Sequence, residues 1–462
     1  MRKKWIKRIL WTIGFTIIIL LAFGFVFYNR FVVSAPEVSY QPPKDLAEAQ
    51  LQDLDYLSLY PELDRSWDTD KKVEDFLNGI EDLKDRLPVS LAVFEMEIAK
   101  LVALADNAHT NVSAAGRAKR MNAIPLRFHW FKEGLYIVMA KTEYNDLVGA
   151  LVVTIEGQDP ADLLEKLKPY RGGAETHLKY NSPLFLMSPE ILHAIGLASS
   201  PDHLRIQCID LSGNTFDMEV SASIEDKDVP GYTPEGWLVP KPEYKNSEWK
   251  NCIQTAAVSL PLMHLDRNVN HLFLDDKLYV QVNENWDTEE SEVKPYLKSV
   301  IQDPEFKKLQ KVILDLRFNP GGDYHMVRPF INAVKTELTT GQKLYVITGN
   351  GTFSAGLLTV AYAEDQLKEK AVIIGEPVGD NLQFWADGGL PLTLPNSEIK
   401  VHIWTAYHDW QNGCDDWKKC FWITIFDGVA VPSVQPDALV PLSFIDYLDG
   451  KDTALEYIKR EE

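Results

Sequence analysis

The longest uninterrupted apolar pattern in the chain is the uncharged run from Ile9 to Tyr28, set directly behind Arg2, Lys3, Lys4, Lys7 and Arg8. About 20 residues rising about 1.5 Å each reach roughly 30 Å, the thickness of a hydrocarbon core. Only Arg30 flanks the far side closely, so charge asymmetry puts the N-terminus in the cytoplasm and the rest of the chain outside. A cleaved signal peptide is the competing reading. Its apolar region would usually be shorter, and the one small-residue site, Val33-Ser34-Ala35, precedes Pro36, a poor first residue after cleavage. The expectation is a cytoplasmic tail (1–8) and a single-pass anchor in the cell membrane (9–28).

Beyond the anchor the pattern changes three times. Residues 29–65 are rich in proline, acidic and polar residues and read as a linker, followed by a helical region over 66–123. There, Leu91, Phe94, Ile98, Leu101, Val102 and Ala105 share one face of a helix from Val89 to Ala105. That helix ends at Asp106-Asn107-Ala108, with His109 just beyond. Residues 124–225 read as mostly β, with strands over 135–140 and 150–157, and with Asp159-Pro160 opening a short helix. Residues 226–256, with several Pro and Gly, look like a connection. From 257 to 455, short apolar runs at 278–282, 311–316, 343–348 and 371–375 alternate with helical stretches at 288–302, 325–337 and 354–369. That alternation predicts an α/β layered core with buried strands.

At 462 residues there is room for two or three domains. The formal net charge of −20 argues against a nucleic-acid partner, since phosphate would be repelled. Cys208, Cys252, Cys414 and Cys420 form no CxxC pair. Two disulfides or unpaired thiols are both open, with Cys414 and Cys420 the first candidates for a bond. No HExxH, P-loop, dinucleotide fingerprint or EF-hand loop occurs, so no cofactor or metal is expected. His402, His408, Asp409, Asp415 and Asp416 share a Trp-rich segment without recognised ligand spacing, which reads as an aromatic loop.

Three places could carry chemistry. The strand at 311–316 runs into Arg317-Phe318-Asn319-Pro320-Gly321-Gly322, where paired glycines let peptide N–H groups face a cavity and hold an oxyanion. Ser354 opens a helix, either as a simple N-cap or as a nucleophile with the Ala355 N–H free beside it. His109 is either a surface or capping histidine or the base that a serine hydroxyl needs.

Together, LADNAHT, VILDLRFNPGG, YVITGNGTFSAG, VIIGEPVG and VQPDALVP, in this order, resemble the tail-specific (C-terminal processing) serine peptidases, particularly the tricorn-core-like branch. The resemblance covers about residues 75–455. It implies a ClpP/crotonase-like layered β-β-α catalytic core and a degenerate PDZ-like module ending near 145–170. It further implies a peptide or protein substrate, with Ser354 as nucleophile, His109 as general base, and Gly321 or Gly322 with Ala355 as the oxyanion hole. The lysine that many bacterial members carry beyond G-E-x-x-G is absent from Glu376 to Gln383, which shifts weight to His109. The glutamate of the tricorn tetrad is missing too, and Glu376, Asp427 and Asp437 are the candidate orienting carboxylates. The rival expectation is an inactive peptide or lipid carrier, or a scaffold, on the same fold. Nothing in the sequence speaks to oligomeric state.

Overall fold

The computed structural model describes residues 2–112, 116–117, 120–222, 234–240, 248–253, 258–274, 276–289, 291–339 and 341–461. Helix α1 (Arg2–Phe31) contains the one stretch among the described residues, Ile9–Phe31, that is long and apolar enough to cross a membrane. Its C-terminal carbonyls are fastened to the body. Thr405 Oγ1 donates to Phe31 O at 2.5 Å and Arg65 Nη2 to Arg30 O at 2.6 Å.

The segment read as a linker is not extended throughout. Residues 46–57 form helix α2 (Leu46–Leu57), capped by Asp45, whose buried face mixes Leu54 and Leu57 with Gln50, Gln52 and Asp53. The Asp53 carboxylate accepts the N–H groups of Asn396 and Ser397 in a distant turn, while Gln50 exchanges hydrogen bonds with Val89. Helices α3 (Asp70–Lys84) and α4 (Leu91–Ala103) follow, α4 starting at its Ser90 cap. Phe94, Ile98 and Val102 pack with Leu54, Phe76 and Ile80, and also with Leu392, Ile399 and Val401 from the far end of the chain. Leu91, expected on the buried face, is 40% exposed. One apolar core thus joins the N-terminal helices to the C-terminal half, which holds His109 against it.

The β-rich module is an antiparallel sheet of β1 (Leu126–Phe131), β2 (Gly134–Lys141), β3 (Leu151–Ile155), β4 (His203–Ile209) and β5 (Thr215–Ser221), in that order. Helices α5 (Pro160–Leu167) and α6 (Glu175–Leu186) lie between β3 and β4 in sequence. The expected connection is partly structured: β6 (Trp249–Asn251) pairs with β2, while 226–233, 241–247 and 254–256 lie outside the described residues.

The third region is a six-stranded sheet in the order β16-β11-β10-β9-β8-β7. Its members are β7 (Val269–Leu274), β8 (Lys277–Val282), β9 (Lys311–Asp315), β10 (Lys343–Thr348), β11 (Ala371–Gly375) and β16 (Ala438–Leu439). Strands β8 to β11 and β16 run parallel, and β7 is an antiparallel edge. Helices α7 (Val293–Gln302), α8 (Arg328–Glu337) and α9 (Ala355–Leu367) connect them, as the alternation predicts. Helix α7 starts five residues later than expected because the Asp287 carboxylate takes the Val293 N–H and Thr288 closes a turn on Ser291. Leu314, Val346 and Ile373 pack on one face with α8 and α9. Ile313, Tyr345, Ile347 and Ile374 face Ala454 and Ile458 of a terminal helix over Thr453–Arg460. Burial on both faces explains why these strands are continuous apolar runs. Two small pairs complete the fold: β12 (Gln383–Gly388) with β15 (Trp404–Asp409), and β13 (Leu392–Thr393) with β14 (Lys400–Val401).

Candidate active site

Parallel strands β9, β10 and β11 deliver their following loops to one edge of the sheet, where α/β proteins gather functional groups. The loop after β9 is held by polar bonds on both sides. Asp315 and Arg317 are buried and paired: Arg317 Nε lies 3.0 Å from Asp315 Oδ1, and its outer nitrogens reach Asp452. These residues of the quoted motif are structural, tying β9 to the start of the terminal helix. Burial raises the Asp315 carboxyl above its ordinary range, an effect that the Arg317 charge opposes. Asn319 comes next, with no exposure to solvent. Its Nδ2 donates to Val282 O and Asn285 Oδ1, and its carbonyl accepts the Phe353 N–H at 2.9 Å. Asn285 in turn donates to Ala355 O and Thr359 Oγ1, fixing the first turn of α9.

Against this frame sits Ser354, with φ 51° and ψ −124°, a left-handed backbone that costs a non-glycine residue about 1–3 kcal/mol. Its side chain makes no capping hydrogen bond to the helix it precedes. A serine that only capped would adopt extended backbone and bond the second or third helical N–H. The Ala355 N–H, first in its helix, has no intrahelical acceptor. Gly321 (φ +124°) approaches so closely that an added Cβ would lie 2.8 Å from Ser354 Cβ and 3.2 Å from Ala355 N. The Gly321 N–H donates to Asn319 Oδ1 at 3.0 Å and is therefore engaged. Gly322 is held at the same φ because its neighbours bridge to Asn285, and a Cβ there would strike Asn285 O at 2.5 Å.

His109 is brought to the same place from the other end of the chain. Asn107 clamps its loop to β12 through Trp385, donating to that carbonyl at 2.9 Å and accepting its N–H at 3.1 Å. The His109 ring lies 4.5 Å from the Phe353 ring centroid, stacks on Phe384 at 5.1 Å, and meets the edge of Trp404. His109 Nε2 is 3.0 Å from Asp380 Oδ2, and both side chains are buried. The three carboxylates expected to orient the base are engaged elsewhere. Glu376 pairs with Lys179 at 3.2 Å, Asp427 with His325 and Arg328, and Asp437 accepts the Ile373 N–H. The carboxylate on His109 is Asp380, in the stretch where the dyad lysine is absent.

A second histidine, His177 on α6, faces Phe353 at 4.1 Å. Its pKa lies well below the ordinary imidazole value because of burial, and then because of the charges on Arg171 and His109. Arg171 Nη2 approaches His177 Nδ1 at 3.3 Å, and burial lowers the guanidinium to about 10. No motif pointed to His177, Arg171 or Asn285. A polar residue just past G-E-x-x-G was the available signal for Asp380.

No family model matches the chain, and no curated protein matches it. Among solved structures, mature CPAF complexed with lactacystin superposes with a TM-score of 0.54 at 11% identity, over 90% of this chain and 98% of that one. Mature CPAF alone gives 0.53 at 12% identity, over 90% and 96%. At this identity the likeness shows a shared fold, the one seen in CPAF. The photosystem II D1 C-terminal processing protease is also found, at a TM-score of 0.33 and 12% identity over 86% and 94% of the two chains. Within that fold, the mixed α/β architecture and the N-terminal apolar helix agree with expectation.

Proposed function

We propose that this chain is a membrane-anchored, extracytoplasmic serine endopeptidase that cleaves peptide bonds through an acyl-enzyme on Ser354. One observation carries the reading: Ser354 sits in strained backbone at a helix start, its side chain caps nothing, and the buried His109–Asp380 pair packs on Phe353, the residue before it. The strain presents the hydroxyl, as at other strand-to-helix nucleophile turns.

In this mechanism the His109 nitrogen not committed to Asp380 takes the Ser354 hydroxyl proton as Oγ attacks the substrate carbonyl. The Asp380 carboxylate faces the imidazolium so formed. The Ala355 and Gly322 N–H groups stabilise the oxyanion, the engaged Gly321 N–H leaving Gly322 as the second donor. Collapse expels the amine with the proton from His109. Water, deprotonated by the same base, then releases the acid and restores Ser354.

In this reading the β-rich module over 124–225 serves as the PDZ-like unit and would hold an extended peptide along a strand edge. In the same reading the six-stranded sheet and its helices serve as the ClpP/crotonase-like catalytic core. The anchor reading is supported by α1, and the extracytoplasmic reading by the Cys414–Cys420 disulfide, which fits an oxidising compartment. Cys208 and Cys252 are free thiols. A carrier on the same fold would have little use for a buried histidine–carboxylate pair, which is costly to desolvate. The test is incubation of the full chain with an unfolded protein substrate and mass spectrometry of the products. New termini formed by the wild type and absent with Ser354→Ala support the reading; identical products from both proteins contradict it.

A further inference from the structure

The aromatic segment that follows β15 has no part in the catalytic proposal, yet it is where the body meets the apolar helix. Helix α10 (Trp422–Asp427) and Phe421, which follows the disulfide loop, pack on the last turns of α1. The Trp422 ring lies 5.1 Å from Phe23, 5.7 Å from Phe27 and 5.6 Å from Phe31, and Phe421 reaches Phe27 and Phe31. From Trp422 the aromatic surface continues outward. Trp417 is 5.6 Å from Trp422 and 5.2 Å from Phe426. Trp417, Ile423 and Phe426 are 47%, 42% and 72% exposed.

The register of α1 says what covers this surface. If Ile9 to Tyr28 fill the hydrocarbon, Phe23 lies about 7.5 Å inside its outer boundary at 1.5 Å per residue. A ring of the body in contact with Phe23 must then lie at the depth of the headgroup and upper acyl region. That is the depth favoured by tryptophan and by the apolar faces of interfacial helices. The exposed apolar side chains beside it are continuous with the anchor and would otherwise be held against water.

We propose that Trp417, Ile423 and Phe426 insert into the lipid interface around the chain's own anchor, as a second membrane contact that sets the tilt of the catalytic body. This rests on the anchor reading given above. The contact is mechanically joined to the site. Thr405 on β15 holds the Phe31 carbonyl, the next residues of β15 lead to His408, and His408 stacks on Phe384, the ring beneath His109. His408 also lies 5.6 Å from Phe421. One strand pair thus separates bilayer from base, and the polypeptides presented to Ser354 would be those emerging from, or lying along, the same membrane.

The experiment places the full chain in phosphatidylcholine vesicles with bromine at shallow acyl positions and compares its tryptophan emission with that in unbrominated vesicles. Trp5 and Trp11, 70% and 80% exposed on α1, report the anchor. Trp417 reports the second contact. The expected result is that the emission component lost in Trp417→Phe falls by at least about twofold in brominated lipid, the depth predicted for interfacial rings. Ile423→Asp with Phe426→Asp should abolish that quenching while the protein stays with the vesicles after an alkaline wash. Quenching that disappears in Trp5→Phe with Trp11→Phe but is unchanged in Trp417→Phe overturns the second contact and leaves the anchor intact. Unquenched emission throughout, with protein released by the wash, overturns the anchor itself.

Discussion

Two histidines face Phe353, the residue before Ser354, and they have opposite electrostatic partners. His109 has a carboxylate, Asp380, at 3.0 Å; His177 has a guanidinium, Arg171, at 3.3 Å. An imidazole can act as base only where the charge it acquires is tolerated. Asp380 provides that at His109, while burial, and then Arg171, hold His177 well below the ordinary imidazole value. A third histidine, His325, just past the Gly-Gly turn, is bracketed by Asp323 and Asp427 on both ring nitrogens, which leaves none to receive a proton. Proximity to the serine turn therefore does not choose the base. The partner does.

The sharpest way to break this comparison is to remove each histidine in turn. His109→Ala should lower kcat by about 10⁴-fold or more, as loss of a triad base does, whereas His177→Phe should stay within about tenfold of wild type in peptide turnover. Comparable losses would dissolve the distinction. Next in size is the orienting carboxylate. Asp380→Asn should cost about 10⁴-fold in kcat with KM little changed, while Glu376→Gln, Asp427→Asn and Asp437→Asn should each cost much less. Gly322→Ala, which pushes a methyl against Asn285 O and moves an oxyanion donor, should cost about 10²–10³-fold in steady-state kcat.

The smallest effect concerns stability. His177 is held well below its ordinary pKa, and His129 is lowered to about 3, by burial and then by Lys179. Both are neutral when folded and protonate more readily when unfolded. Their contribution is thus present above the unfolded value near 6.5 and is lost as pH falls below it, by about 1.4 kcal/mol per pH unit for each group. Urea midpoints measured from pH 7 to pH 5 should fall, and His129→Phe should flatten that slope. An unchanged slope would show that His129 is already neutralised in the unfolded chain.

What the sequence made legible follows from the kind of signal each feature leaves. Strands β10 and β11 fall on 343–348 and 371–375 as expected, because burial on both faces writes a continuous apolar run. Helix α2 was hidden because three of its five buried residues are Gln or Asp, of which Gln52 and Asp53 meet Asn396 more than 340 positions away and Gln50 bonds Val89. The turn around Ser354 was readable from its glycines and small residues. Asp380 was not, since one aspartate in a loop looks like any other until the fold brings His109 to it from 271 residues away. Asn319 stood in a quoted motif, but its task of holding Phe353 and Asn285 depends on three loops meeting.

The central claim is that Ser354 is a nucleophile activated by His109. Labelling the full chain with a fluorophosphonate and locating the adduct by mass spectrometry of its peptides tests this most directly. One adduct is expected, on Ser354, absent in Ser354→Ala and formed at least about 10²-fold more slowly in His109→Ala. Equal labelling of wild type and Ser354→Ala, or an undiminished rate in His109→Ala, would contradict it.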